Sequence, residues 1–333
     1  MKKICTAIFG LLLTLNVFGQ QDPMFTKYMF STLTFNPAYA GAEGHLSLGL
    51  LHRSQWVGFN GAPISQTLNA HTPMKNERVG LGLTLNSDRI GPTTTLGAGI
   101  SYAYRIPMGK YKLAIAIQGG GEYYTFDHTK LTPQESTDHA LDASYSKLLP
   151  NFGAGLYFSK EKKFYFGVGV PKLIEWDIRT KQNQTDNYLA RQVRHVFFHT
   201  GAAIPINGDA LVFKPSVMVR TSGLTSNLNK NTLYKNVSAP MSYDVDLSLF
   251  FYQQLWIGAA YRGAIKQPST ENLTPNSSVN IWGAYYMKNG LRIGAAYDYS
   301  LTKLQSVNSG SFELFLGYDF DYRVKKVVTP RYF

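Results

Sequence analysis

The stretch "SYDVDLSLFF", residues 242–251, alternates apolar and polar side chains and decides the fold. In a β-strand, successive side chains point to opposite faces of the sheet. One face would carry the carboxylates of Asp244 and Asp246, and the other would be wholly apolar, with Tyr243, Val245, Leu247, Leu249 and Phe251. The two faces of such a strand meet different environments, and the rest of the sequence indicates what each environment is.

The composition is rich in apolar residues and poor in charge. Of the 333 residues, 44% are hydrophobic, which excludes a disordered chain, and 14% are aromatic. Charged residues make up 16%, against the roughly 25% that is usual in a soluble domain. Such a surface favours contact with something other than water.

Residues 1–19 have the features of a secretory signal peptide. Lys2 and Lys3 precede an apolar run, and Gly19 lies at a plausible cleavage position before the polar residues Gln20 and Gln21. The only cysteine of the chain, Cys5, lies within this segment. We therefore expect an exported mature chain without disulfides or thiolate metal ligands.

The alternation of residues 242–251 recurs along the chain. Beyond residue 19 no run of eighteen apolar residues exists, which argues against membrane-spanning helices. Segments of about ten alternating residues are typical of a transmembrane β-barrel. Examples are "RVGLGLTLN" (78–86), "TLGAGISYAYRI" (95–106), "LRIGAAYDYS" (291–300) and "SFELFLGYDF" (311–320). We predict an all-β fold, an antiparallel outer-membrane barrel of about fourteen strands over residues 45–321. A periplasmic or secreted β-rich protein with a covered inner face is the alternative.

The connections between the predicted strands alternate in length. Tight links such as "PMGK", "NGD" and "KNG" lie between longer polar links at residues 125–149, 171–193, 222–241 and 264–276. Outer-membrane barrels have short periplasmic turns and long extracellular loops. This arrangement predicts extracellular long loops, periplasmic termini and a short periplasmic tail at residues 322–333. Leu247 would then face lipid, whereas Asp244 and Asp246 would face the lumen.

Residues 20–44 are predicted to form an arm or plug at the periplasmic end of the lumen. The segment is too irregular for a strand, yet it is rich in Phe, Tyr and Met, which are unusual in a free tail. Many inward positions of the predicted strands are small: Gly80, Gly82, Gly97, Gly99, Gly153, Gly155, Gly167, Gly169, Gly258, Ala260, Gly294 and Ala296. Glycine in a strand indicates close approach of another backbone or relief of curvature, and both interpretations stay open.

Two neighbouring motifs carry a family resemblance. The segments "QDPMFTKYMFSTLTFNPAYAG" (21–41) and "HRSQWVGFNGAPISQTLNAHTPM" (52–74) resemble the N-terminal signature of the PorP/SprF-like family, outer-membrane proteins of the type IX secretion system in Bacteroidota. The resemblance implies a non-enzymatic role in secretion or surface attachment of adhesin-like proteins, in some members for gliding motility. It also implies binding of a partner's C-terminal sorting domain and contact with other secretion components.

The candidate site residues come from these two motifs. We predict that they hold the plug or bind the partner: Tyr28, Asn36, Pro37, Tyr39, Arg53, Gln55, Trp56, Pro63 and Gln66. The fragment "NPAYAG" predicts a turn with Asn36 as cap, Pro37 fixing φ and Gly41 allowing an unusual backbone angle. Arg53 and Gln55 are expected on the lumenal face, and Trp56 at the lipid interface.

Catalysis, metals, cofactors and nucleic acid have little support in the sequence. His195 and His199 lie four residues apart, which on a strand separates them by about 13 Å, too far to share a metal. The net charge of +12 comes from scattered Lys and Arg and suits anionic lipid headgroups or an acidic protein partner better than nucleic acid. We expect no catalytic residue and no cofactor. A plugged channel for hydrophobic or other small solutes is the competing function, because lumenal charges would suit a wet path too.

Overall fold

The computed structural model describes residues 25–74, 77–130, 144–161, 163–176, 178, 192–222, 241–265, 277–302, 305 and 308–320. These residues form one antiparallel sheet of sixteen strand segments. The segments are β1 Leu46–Ser54, β2 Ile64–Pro73, β3 Val79–Ile90, β4 Thr93–Met108, β5 Tyr111–Phe126, β6 Tyr145–Lys160, β7 Phe164–Val170, β8 His195–Ala202, β9 Ile204–Asn207, β10 Leu211–Phe213, β11 Ser216–Ser222, β12 Met241–Phe251, β13 Leu255–Ile265, β14 Ser278–Tyr286, β15 Leu291–Ser300 and β16 Ser311–Phe320.

The sheet closes on itself. Strand β1 pairs with both β2 and β16, and the pairing of β11 with β12 joins the two ends of the strand order. Only Ala203 separates β8 from β9, and only Lys214 and Pro215 separate β10 from β11, so each pair is one strand of the wall. The wall therefore has fourteen strands. The predicted antiparallel barrel is confirmed.

One strand is longer than the sequence predicted. Strand β6 begins at Tyr145, inside the polar link that was predicted for residues 125–149, and it therefore contains Pro150. The proline is tolerated because β7 ends at Val170, opposite Ala154, and gives the earlier part of β6 no ladder partner there. A proline has no N–H to donate and fits where a strand lacks a neighbour on one side.

The two faces of the wall differ as the alternation predicted. Leu247 is 53% exposed on the outside, whereas Asp244 and Asp246 are 2% and 1% exposed and point into the lumen. Large apolar side chains are exposed elsewhere on the wall too, among them Leu148, Ile117, Ile100, Leu314, Ile281 and Phe152. An apolar outer face and a polar inner face are typical of a transmembrane barrel, in which the backbone hydrogen bonds are satisfied within the closed wall.

The chain before the barrel enters the lumen. It consists of two 3-10 turns, Tyr28–Phe30 and Pro37–Tyr39, and a one-turn α-helix, Thr32–Phe35, between them. Among the helices of the described residues, none has the length and apolar character that a membrane crossing requires. We call residues 25–44 the plug.

Replacing Leu247 by Arg is expected to lower the free energy of unfolding by about 2–4 kcal/mol, because the charge lies on the outer face in the middle of β12. Leu255→Arg is the matched control, since Leu255 is also exposed but begins β13 at the rim. The control should cost about 0–1 kcal/mol. Denaturant unfolding in liposomes measures both, and equal losses would contradict the proposed depth.

Candidate functional site

The plug extends through the depth of the lumen. At one end, a Cβ on Gly41 would approach the backbone of Pro73, the last residue of β2. At the other end, the backbone N–H of Thr26 donates to both oxygens of Glu313, near the opposite end of the wall. The sequence predicted a plug at one end of the lumen only. In the structure the plug reaches from one end to the other, because its first residues pair with charges at the far end of the wall.

The turn predicted for "NPAYAG" is confirmed. The Asn36 side chain accepts a hydrogen bond of 3.0 Å from the Ala38 N–H, and Pro37 opens the 3-10 turn. Gly41 has φ +72°, which favours glycine. The Asn36 amide also donates to the Leu156 carbonyl oxygen at 2.9 Å, so the turn is fastened to β6.

Glycines of the wall make room for this turn. A Cβ on Gly80 would collide with the Ala40 carbonyl group, and one on Gly169 would collide with the backbone of Phe35. Gly155 faces the Asn36 side chain in the same way. Only a wall without side chains at these points admits the plug backbone.

The remaining glycines have a different reason to be small. A Cβ on Gly97 would strike the Asn86 side chain, and one on Gly99 would strike Gln118. The prediction that inward glycines admit another backbone therefore holds for part of the set only. A wall side chain also lies over Gly258, whereas Gly82 faces the Leu33 side chain of the plug and Gly153 faces the backbone of Pro171.

Charged groups hold the first residues of the plug. The Lys27 ammonium lies 2.9 Å from the Asp246 carboxylate, and both side chains are buried. The Thr26 hydroxyl donates to Asp298 at 2.6 Å. Arg262 donates to the Phe25 carbonyl oxygen at 3.1 Å. Every plug group here meets a wall group of opposite charge or complementary hydrogen-bonding character.

The wall charges form one network around the plug. Asp244 pairs with Arg220 and Arg262, while Arg53 pairs with Asp298 and Glu313. We call this set the ionic network; it contains Lys27, Arg53, Arg220, Arg262, Asp244, Asp246, Asp298 and Glu313. Its four cations equal its four anions only when Lys27 is in place. Buried charges without partners cost several kcal/mol, so the wall favours an occupied lumen.

Aromatic packing fixes the middle of the plug. The Phe30 ring stacks on Phe315 at 4.3 Å and meets Trp256 and Trp282 edge-on at 5.4 and 5.5 Å. The Tyr28 hydroxyl donates to the Ser216 hydroxyl oxygen at 2.8 Å. These contacts bury apolar surface on both plug and wall, which stabilises the closed arrangement.

The predicted site residues separate into three places. Tyr28, Asn36, Pro37, Tyr39 and Arg53 come together in the lumen, all of them buried. Within this group, the Tyr39 ring packs edge-on against Tyr157 at 5.3 Å.

The other predicted residues lie outside the lumen cluster. Strand β1 ends at Ser54, so Gln55 and Trp56 belong to the following loop and do not continue the alternation that was expected for them. Pro63 ends the same loop, and its carbonyl oxygen accepts the Gln55 N–H at 2.9 Å. Gln66 is exposed on the outer face beside His52. Its even position in β2 points outward, away from the plug, and its predicted part in partner binding stays a prediction.

Sequence reasoning missed Lys27 and Asn69. The Asn69 amide donates to the hydroxyl oxygens of Ser31 and Thr34 from β2. The signal for Lys27 was a single cation among the aromatic residues of the arm, together with inward carboxylates that needed a partner.

Metal ligation has no support in the described ranges. There, no three His, Cys, Asp or Glu side chains come together as they would around a metal ion. His199 instead lies 3.0 Å from the Asn36 amide nitrogen and stacks near Tyr157.

Family comparison now identifies the class of this barrel. The family model described as "Type IX secretion system membrane protein PorP/SprF" matches residues 17–318. The chain belongs to this family and is a type IX secretion component of the outer membrane. Family and fold are those of a secretion-system membrane barrel and not of a known enzyme class. No curated protein matches the sequence.

Two solved structures of outer-membrane proteins are similar to this chain, and the first supports the barrel fold. The CymD monoaromatic hydrocarbon channel is 13% identical, with 91% of this chain and 95% of that chain covered and a TM-score of 0.51. The outer membrane protein Omp33 of Acinetobacter baumannii is 12% identical, with 84% and 100% covered and a TM-score of 0.44. At these identities the likeness concerns the barrel alone.

Replacing Lys27 by Met is expected to lower the free energy of unfolding by about 3 kcal/mol, because Asp246 is left buried without its cation. Denaturant unfolding in liposomes measures the loss. The double variant Lys27→Met/Asp246→Asn should recover most of it, since no unpaired charge then remains at that contact. A single variant as stable as the parent protein would contradict the ionic network.

Replacing Gly80 by Ala is expected to displace the plug, because the new Cβ would meet the Ala40 carbonyl group. Trypsin should then cleave after Lys27, which is buried in the parent protein. Gly119→Ala is the matched control, since nothing lies within 4 Å of a Cβ there. Equal protection of Lys27 in both variants would contradict the contact between plug and β3.

Proposed function

We propose that this protein binds the C-terminal sorting domain of a secreted adhesin-like protein and supports its secretion or attachment at the cell surface. Family membership supports a place in the secretion machine, and the filled lumen supports the specific role. A lumen occupied from Thr26 to Gly41 leaves no wide passage for a polypeptide. The barrel would therefore act as a binding platform and not as the conduit.

The loop between β1 and β2 offers a suitable binding surface. Phe59 is 50% exposed, and Val57 beside it is also exposed. Backbone hydrogen bonds fix this loop to its neighbours: Val57 N–H donates to Gly310 at 2.9 Å, and Gly91 N–H donates to Gly61 at 2.9 Å. An ordered loop that exposes aromatic surface has the character of a protein-binding site, because little entropy is lost on docking.

This surface lies on the side of the long loops. Short connections, for example residues 109–110 and 208–210, lie at the opposite rim, together with the ends of the wall at Leu46 and Phe320. The two-residue link 91–92 between β3 and β4 is an exception, because it lies on the same rim as Phe59. Short turns of outer-membrane barrels are periplasmic. We therefore infer that Phe59 faces the cell exterior, where an adhesin would be held, and that β16 ends on the periplasmic side.

The competing function is a channel for hydrophobic or other small solutes. Its support is the barrel fold shared with a hydrocarbon channel. The ionic network argues against it, because a solute would have to break several buried ion pairs to pass. Deleting the gene separates the two functions: loss of the surface adhesin with continued solute uptake supports the secretion role.

Replacing Phe59 by Ser is expected to weaken binding of the partner's purified sorting domain at least tenfold, which corresponds to about 1.4 kcal/mol. The reason is the loss of an aromatic anchor from an ordered loop. Biolayer interferometry with the detergent-solubilised barrel measures the affinity. Tyr252→Ser is the control, because Tyr252 is 75% exposed but belongs to a short turn at the opposite rim.

Both variants should fold and insert equally well. An unchanged affinity for Phe59→Ser together with a loss for Tyr252→Ser would place the contact on the periplasmic side and contradict the proposed surface. Absence of binding by the parent protein, with normal adhesin display in the deletion strain, would overturn the proposed function.

A further inference from the structure

A cavity of about 570 Å³ lies beneath the plug, at the rim of the short turns. Met29 and Tyr39 of the plug form part of its lining, and residues 252–254 and 287–290 border its opening. Pockets for small ligands span about 300–1,000 Å³, so this space is large enough to hold one. Its opening faces the inferred periplasmic side.

The walls of the cavity are largely aromatic. Trp256 lies 5.9 Å from the Phe250 ring and 6.1 Å from the Tyr286 ring, and all three line the space. Tyr157 and Tyr165, stacked at 5.8 Å, line it from the other side. A ligand that fits here needs an apolar or aromatic body.

One cation points into this aromatic space. Lys214, between β10 and β11, is 6% exposed, and its ammonium lies 3.4 Å from the Trp256 ring centre and 5.2 Å from that of Phe250. Within the described part of the chain, its ammonium has neither a carboxylate partner nor a hydrogen bond. A cation–π contact offsets only part of the cost of burying an ammonium group, so the site favours an anion.

The other buried charges of the cavity are already compensated. Arg292 pairs with Asp319 at 2.9 Å and donates to the Ser47 hydroxyl oxygen at 2.9 Å. The Tyr39 hydroxyl donates to Glu43, and burial raises the pKa of the Glu43 carboxyl, which favours its neutral form. Lys288 also borders the cavity but is exposed to solvent, so among the described lining residues Lys214 is the buried cation that can receive a ligand.

We propose that the cavity binds a carboxylate joined to an aromatic or other apolar group, with the carboxylate on Lys214 and the apolar group among the rings. The same chemistry occurs in a free aromatic acid and at the carboxyl end of a peptide that finishes in an aromatic residue. The proposal does not depend on the sorting-domain function, because it concerns the opposite rim.

Isothermal titration calorimetry of the detergent-solubilised full chain with N-acetyl-L-phenylalanine tests the proposal. The acid should bind at least tenfold tighter than the neutral N-acetyl-L-phenylalanine amide. Lys214→Met keeps the length of the side chain over Trp256. This variant should lower the affinity for the acid at least tenfold and remove the preference for the acid over the amide. Lys112→Met is the control, because Lys112 is exposed at the same rim and lies outside the cavity.

A short peptide ending in phenylalanine, compared with its amidated form, distinguishes the two sources. Binding of the free acid identifies a small-molecule site, whereas binding of the peptide acid alone identifies a peptide-end site. Equal affinity for acid and amide, an unchanged preference in Lys214→Met, or no binding of either acid would overturn the proposal. If Lys214→Met does not fold, Tyr286→Leu serves as the second variant and should lower the affinity for the acid and for the amide alike. Unchanged affinities in Tyr286→Leu would overturn the proposal.

Discussion

The pairing of Lys27 with Asp246 is the contact on which the filled lumen depends. The wall of a fourteen-stranded barrel encloses more space than its own side chains fill, and its inner face carries charges that lipid or an apolar filler could not satisfy. The plug supplies one cation, two backbone N–H donors and a hydroxyl group at the place where the wall offers carboxylates. The ionic network is neutral only with the plug in place, so closure of the barrel and docking of the plug reinforce each other.

Steric fit, in addition to the ion pairs, holds the plug in the lumen. Gly80, Gly155 and Gly169 each leave space that plug atoms occupy, and Asn36 fastens the turn to β6. Any side chain at these wall positions would move the turn, and with it Lys27. The same sealing gives the protein two separate surfaces, the ordered β1–β2 loop on one side and the aromatic cavity on the other. Two distinct surfaces are compatible with the proposed role as a binding platform.

The sequence predicted the wall well because alternation is a local property. Strand number, the outward position of Leu247 and the inward position of Asp244 all follow from period two and the lipid on one side. It also predicted the turn at Asn36, since the cap and the glycine act over a few residues. The depth of the plug and the end of β1 at Ser54 depend on contacts between distant residues. Because these contacts place Gln55 in a loop, the local alternation of the sequence could not predict its position.

Single-channel conductance in planar bilayers tests the central claim most directly. The account predicts that the intact protein conducts little, because the plug and the ionic network fill the lumen. A variant without residues 20–40 should form a wide and stable channel in the same bilayer. A wide channel from the intact protein, or equal conductance with and without these residues, would contradict the filled lumen.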